Sequence, residues 1–343
     1  MHYRQGQYDV TNTIRVSDPR EVAHEVGRLL RALYPRADLT PVDTAFDVFT
    51  RIYAGTLPGY HGCDTAYHDV QHSLDVALAM ARLLDGHERS AGPRGTLGAR
   101  RAQLGIISAL FHDVGYIRRR DETQLRNGAE LTQVHVTRSG EFLARFLPTV
   151  GFAREASLAR HMVHFTGYEM PLEAVRVRGT KDRRLGFLLG TADLVAQMAD
   201  RAYPEKCRSF LYREFEACGL AGKQQPGKPA PIYSSPEDLL RKTPEFAAKL
   251  FKDRLDGYFE GAYRYIESHF DGQNPYLAEI RRHIDYIRRV VDTGQLELLR
   301  RNPESINAHE LRGLIGAARS PRVRLRGLRT RRTRARTADS APA

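Results

Sequence analysis

The stretch that most constrains the fold lies late in the chain, where Leu277, Ile280, Ile284, Ile287 and Val291 recur at steps of three, four, three and four. That spacing is the period of a helix with one apolar stripe, and a stripe of this kind must be covered. It closes over the core of its own chain or pairs two subunits in a homodimer, and spacing alone does not choose between them. The same period dominates the rest of the 343 residues, while alternating strand patterns are scarce, so the expected fold is all-α.

Helix starts are written by their caps. Ser17-Asp18-Pro19 precedes an apolar face of Val22, Val26, Leu29 and Leu30, and Ser235-Pro236-Glu237-Asp238 combines a capping hydroxyl, a first-turn proline and first-turn acids. Asn274-Pro275 opens the helix that carries the seam. Further helices are expected over about 70–84, 97–111, 153–165, 184–201 and 206–218. Residues 85–95, with their Gly, Pro and charge, read as a loop, as do 118–128 and the Gly/Pro-rich 219–232. Thr243-Pro244-Glu245 repeats a start signal, which predicts a short helix breaking before a longer one.

Composition bears on partners. Nine of the basic residues are arginines between Arg319 and Arg336, opposed from Arg319 onward only by Asp339, so most of the formal +12 belongs to a tail with few large apolar residues. Such a tail is expected to stay disordered, and it is a candidate for weak polyanion contact; the body carries too little excess charge to require nucleic acid. No run of about 18 apolar residues occurs, and the first residues lack the apolar middle of a signal peptide, so the expectation is a cytoplasmic protein with no transmembrane segment. Cys63, Cys207 and Cys218 have no zinc-ligand spacing and read as packing residues.

The chemistry is carried by histidines and carboxylates. His68 and His72 lie four apart in YHDVQH, His112-Asp113 ends the apolar run ISALFHD, and Asp193 sits inside the apolar LLGTADLVA. Buried, these groups need partners or a cation, and imidazole with carboxylate suits Zn, Mn, Mg or Fe. His135, His161 and His164 follow in segments of helical period; His161 and His164, three apart, share a helix face.

The ordered set His72, then His112-Asp113, then Asp193 resembles the HD-domain metal-dependent phosphohydrolases over roughly residues 60–205. AYHDVQHSLDV is similar to the signature of class I cyclic-nucleotide phosphodiesterases, matching at Tyr67, His68, His72, Asp75 and Val76, with Asp69 in place of Asn and Ser73 in place of Ala. The resemblance implies an HD-domain helical bundle with additional C-terminal helices. Residues 1–55 would be an N-terminal helical segment, 56–218 the metal-binding catalytic core, 219–316 a helical part completing or covering the site, and 317–343 the basic tail. It implies two divalent ions. His72, His112, Asp113 and Asp193 would bind the first, and Asp113 would bridge to the second, for which His135, His164 and His161 are candidates. His68 would protonate the leaving oxygen, a carboxylate neighbour favouring its charged form. Asp75 would act behind the ligands, and Glu130 would hold a metal-linked water or serve as a helix-start acid.

The implied activity is hydrolysis, by metal-activated water, of a small nucleotide-like phosphoester, with a 3',5'-cyclic nucleotide as the sharpest version. Tyr116 departs from the lysine of the cyclic-dinucleotide branch and from the second histidine of the phosphodiesterases. Two rivals stand beside this reading: a di-iron HD-type oxygenase, which uses a similar ligand set, and a noncatalytic HD module binding nucleotide or RNA.

Overall fold

A computed structural model describes residues 6–224 and 229–316. The arginine-rich tail at 317–343 lies outside the described residues. The fold is all-α: the described residues form no sheet, only three isolated bridges. In chain order the helices are α1 (Pro19–Leu33), α2 (Thr40–Tyr53), α3 (Val70–Ser90), α4 (Ala99–Leu110), α5 (His135–Phe146), α6 (Ala156–Met162) and α7 (Thr180–Ala199). They continue as α8 (Tyr203–Lys206), α9 (Tyr212–Ala217), α10 (Pro236–Leu250), α11 (Tyr265–His269), α12 (Pro275–Thr293) and α13 (Ala308–Gly316). No helix among the described residues is long and apolar enough to cross a membrane.

At the centre stands α3, every residue of which from Val70 to His87 is buried, packed against α1, α4, α7 and α11. Its middle, residues 76–81, is apolar all round and so must be interior, the small residues Ala77, Ala79 and Ala81 let its neighbours approach closely, and the polar groups buried on either side, Asp75 and Arg82 among them, need partners. The partner α7 is likewise buried from Leu185 to Ala196. These two helices deliver His72 and Asp193 to the same interior point.

Capping signals in the sequence hold. The side chain of Asp18 accepts from the Arg20 amide at 2.9 Å, Ser235 from Asp238 at 3.1 Å and Asn274 from Leu277 at 3.0 Å. Two expectations fail. The helix expected to end near 84 continues to Ser90, because Gly86 serves close packing rather than a turn: a Cβ there would lie 1.7 Å from the Tyr265 carbonyl oxygen. Asp85 and Arg89 pair across that extra turn at 2.9 Å. Nor does α10 break at Pro244. The Thr243 hydroxyl donates to the Leu239 carbonyl, and the buried face of Leu239, Leu240, Thr243, Ala247 and Leu250 outweighs the lost backbone bond.

The seam of α12 is covered inside the chain. Leu277, Ile280, Ile284 and Ile287 are buried, with α12 packed on α7 and α10. Several elements are not marked in the sequence, among them α2 as a separate helix, the short α11 and the short α13 beyond the seam.

One buried ion pair ties three parts together. Arg82 of α3 donates to the Asp9 carboxylate in the N-terminal turn and to the Tyr276 hydroxyl of α12. Burial alone would raise the Asp9 carboxyl, but Arg82 and the Ile14 amide outweigh it and hold it below its ordinary value. The stabilisation is therefore complete above the unfolded carboxyl value and is lost as pH falls through the lower folded one. Arg82→Ala, which strands Asp9, is expected to cost about 3–5 kcal/mol in chemical denaturation at neutral pH. The loss should shrink in acid, where Asp9 is protonated in both states; an equal loss at every pH would contradict the pairing.

Candidate metal centre

Four side chains from three parts of the chain converge. Asp69 caps α3, its carboxylate accepting from the His72 amide at 2.9 Å, so His72 sits in the first turn with its backbone held. At the end of α4 the chain leaves the helix at Phe111, and His112 and Asp113 follow in a turn that aims both inward. The turn is clamped by α5: the Gly115 amide donates to Ser139 Oγ, and Arg138 Nε donates to the Gly115 carbonyl. Only glycine fits at 115, where a Cβ would stand 1.9 Å from the His135 carbonyl oxygen. Asp193 comes from the middle of α7.

The donor atoms lie at cation-cage spacing. His72 Nε2 is 3.3 Å from His112 Nε2, 3.4 Å from Asp113 Oδ2 and 3.3 Å from Asp193 Oδ1. His112 Nε2 is 3.1 Å from Asp113 Oδ2 and 3.5 Å from Asp193 Oδ1. Nitrogen and oxygen donors about 2.0–2.2 Å from one ion stand about 3–3.5 Å apart, so these residues fit a divalent cation. The Nδ1 of His112 bonds to the Ala109 carbonyl at 2.8 Å, which leaves its Nε2 lone pair facing the cluster. Asp113 Oδ2 is a buried oxygen with no hydrogen-bond partner among the described residues. Within 4.8 Å of one another, His72, His112 and Asp113 each offer a ligand atom.

Electrostatics agree. Burial would lower His72, but Asp113 and Asp193 outweigh it and raise it to about 9; His112 is raised well above its ordinary value by the same two carboxylates. Conversely, burial would raise the acids, but His112 and His72 bring Asp193 down to about 2 and hold Asp113 well below the usual carboxylate range. Two buried carboxylates thus demand positive charge between them, from protons or from a cation that displaces those protons.

Asp113 has a second face. Its Oδ1 lies 3.5 Å from His135 Nε2, and His135 Nδ1 bonds to the Thr132 carbonyl at 2.6 Å, again leaving Nε2 free for a cation. His135 opens α5, whose first amides, Val136 and Thr137, donate to the Glu169 carboxylate at 2.6 and 3.0 Å. The other two candidates do not line the cavity, although His164 stays within electrostatic reach of Glu169 and His135. His164 is buried, and its Nδ1 has no hydrogen-bond partner among the described residues. His161 turns to the surface and bonds the Ser157 carbonyl of its own helix. The shared face expected from their spacing is lost because α6 ends at Met162 and tightens into a narrower turn.

His68 stands beside the cluster, its ring centroid 5.9 Å from that of His72. Its Nδ1 lies 2.6 Å from Glu214 Oε2, and Glu214 Oε1 also accepts from the Tyr67 amide. The carboxylate neighbour is thus Glu214 of α9, not the adjacent Asp69. The ring of Tyr116 stacks on both imidazoles, at 4.5 Å from His68 and 4.3 Å from His135, while the two imidazoles lie 6.1 Å from each other, so Tyr116 supports both rings. Glu130 is used locally, accepting from the Arg126 and Asn127 amides in a capping box, which is the helix-start role. Asp75 is buried one turn beyond His72, within electrostatic reach of Lys206 and Tyr276. Arg118 pairs with Asp64 at 2.6 Å.

These groups occupy one end of a cavity of about 600 Å³. The rest of its wall is largely apolar and aromatic, with Tyr203, Phe215, Tyr233, Leu239 and Phe246 among its residues, so 219–250 helps to enclose the site. Of the described lining residues, none is lysine or arginine. Gln197, one turn beyond Asp193 on α7, also lines it and accepts from the Tyr67 hydroxyl at 3.1 Å. Sequence reasoning missed Glu169, Glu214 and Gln197. Glu214 is buried behind His68 rather than on the cavity wall, and its partner lies 146 residues away in sequence.

The chain belongs to the Npun_R2479-like family, whose family model matches residues 43–289, more than half of its length. No curated protein and no solved structure matches it.

Proposed function

We propose that this Npun_R2479-like protein is a metal-dependent phosphohydrolase of HD type, acting inside the cell on a small phosphodiester of the cyclic-nucleotide kind. The observation that carries the reading is the convergence of His72, His112, Asp113 and Asp193 at cation spacing, with the His68 and Glu214 pair opening on the same cavity. A divalent cation bound there supplies Lewis-acid polarisation of the phosphoryl group and a water that ionises near neutrality.

The chain's own residues do the rest. Asp113, with one oxygen toward His72 and His112 and the other toward His135, serves both sides of the site. His68, bonded through Nδ1 to Glu214, has Nε2 left to give a proton to the departing oxygen, while Glu214 and Tyr116 keep the ring in place. The aromatic wall excludes water and offers flat surfaces to a base or other apolar group.

The lining also suggests which charge is accepted. Without lysine or arginine among its described lining residues, the cavity relies on the Arg254 guanidinium, stacked behind the Tyr168 ring and within electrostatic reach of Asp193, to offset phosphate charge remote from the cations. A panel of cyclic mononucleotides, cyclic dinucleotides and nucleoside monophosphates, run with metal analysis, tests this. Cyclic mononucleotides, with one phosphate charge, are expected to be cleaved fastest; no cleavage of any phosphodiester by metal-loaded protein would refute the reading. Iron in the protein together with oxygen consumption would instead favour the oxygenase alternative.

A further inference from the structure

Asp69 stands where the phosphodiesterase-like signature has asparagine, and the structure supplies a physical reason for a carboxylate. Asp69 is fully buried, and its two oxygens serve two amides from distant parts of the chain. One oxygen accepts from His72 N at 2.9 Å; the other accepts from Ile306 N at 2.7 Å. An asparagine has only one such oxygen, and its amide group would set a donor against one of the two N–H groups.

The segment that reaches Asp69 is fastened on both sides. The Arg301 guanidinium donates to the Arg201 carbonyl just beyond α7, the Ala308 amide to the Cys63 carbonyl, and Arg312 to the Ala54 carbonyl at the end of α2. Ile306 and Leu311 are buried beneath it. Residues 299–312 therefore run from the end of the Asp193-bearing helix to the start of the His72-bearing one, and Asp69 is their contact with the latter.

We propose that Asp69 is a positioning residue that couples the C-terminal segment 299–312 to cation binding at His72, making the segment a clasp on the metal-bearing end of α3. The inference rests on the metal-site reading. Because coupling is reciprocal, a cation that orders His72 must also tighten the clasp, and loosening the clasp must weaken the cation.

The test is hydrogen exchange on the full chain with and without Zn²⁺ or Mn²⁺, alongside direct titration of the same ions. Wild-type protein should bind the cation and show slower exchange across 299–312 when it is bound. Asp69→Asn should bind it about 10–100-fold more weakly, the range for loss of an outer partner of a ligand, and lose that protection. Ile306→Pro, which removes the N–H while keeping Asp69, should do the same. Exchange across 299–312 indifferent to the cation in wild-type protein overturns the coupling, whether or not the variants fold. Cation affinity unchanged in a folded Asp69→Asn overturns it as well. If wild-type protein binds neither ion, the metal-site reading falls and the clasp with it.

Discussion

His112→Ala and Asp113→Ala are each expected to abolish hydrolysis and to release the cation, with affinity falling by well over the roughly hundredfold that follows loss of a mere outer partner. The two sites differ in what they leave behind. Removing His112 deletes one donor from a buried cluster that still holds His72, Asp113 and Asp193, so weak cation binding returns at high metal concentration. Removing Asp113 deletes the carboxylate that faces both His72 and His135, so both sides of the site fail together. Metal content of the purified variants, measured beside turnover, decides the matter. Full metal occupancy and full activity in His112→Ala would remove the assignment.

His68→Ala is expected to separate the two functions that the cluster variants confound. It should retain the cation at wild-type stoichiometry, because His68 stands beside the cage and is not among the four donors spaced 3.1–3.5 Å, while turnover falls by about 10²–10⁴-fold. The defect should depend on the leaving group. An alkoxide must be protonated as it departs, whereas a nitrophenolate need not be, so a nitrophenyl phosphodiester should be cleaved with a far smaller loss. An equal loss on both substrates would mean that His68 acts by shape rather than by proton transfer. Glu214→Gln keeps the size of the partner but removes its charge, and its effect on turnover should fall between wild type and His68→Ala.

The predicted cluster was legible because its members are conspicuous in an apolar context. Asp193 inside LLGTADLVA and His112-Asp113 after ISALF are groups whose burial demands a partner, and that demand can be read from local pattern alone. Their supports were not legible. Glu214 lies 146 residues from His68, and Ile306 lies 237 residues from Asp69, so neither contact leaves a mark within a helical turn of its partner. His161 and His164 show the opposite failure. Their three-residue spacing is a helical pattern, but the helix ends between them and turns one inward and the other to the surface.

By itself the sequence determined the class of fold, the caps at Asp18, Ser235 and Asn274, and the identity of the residues with metal-binding chemistry, because period, capping and burial cost are local properties. Tertiary structure alone decided that His72, His112, Asp113 and Asp193 share a cage with edges of 3.1–3.5 Å, that His135 rather than His161 faces Asp113, and that Asp69 serves two amides at once. The physical reason is packing. Where side chains on separate helices meet depends on how α3, α4, α5 and α7 fit against one another, and that fit is settled by glycines, small residues and buried contacts spread along the whole chain.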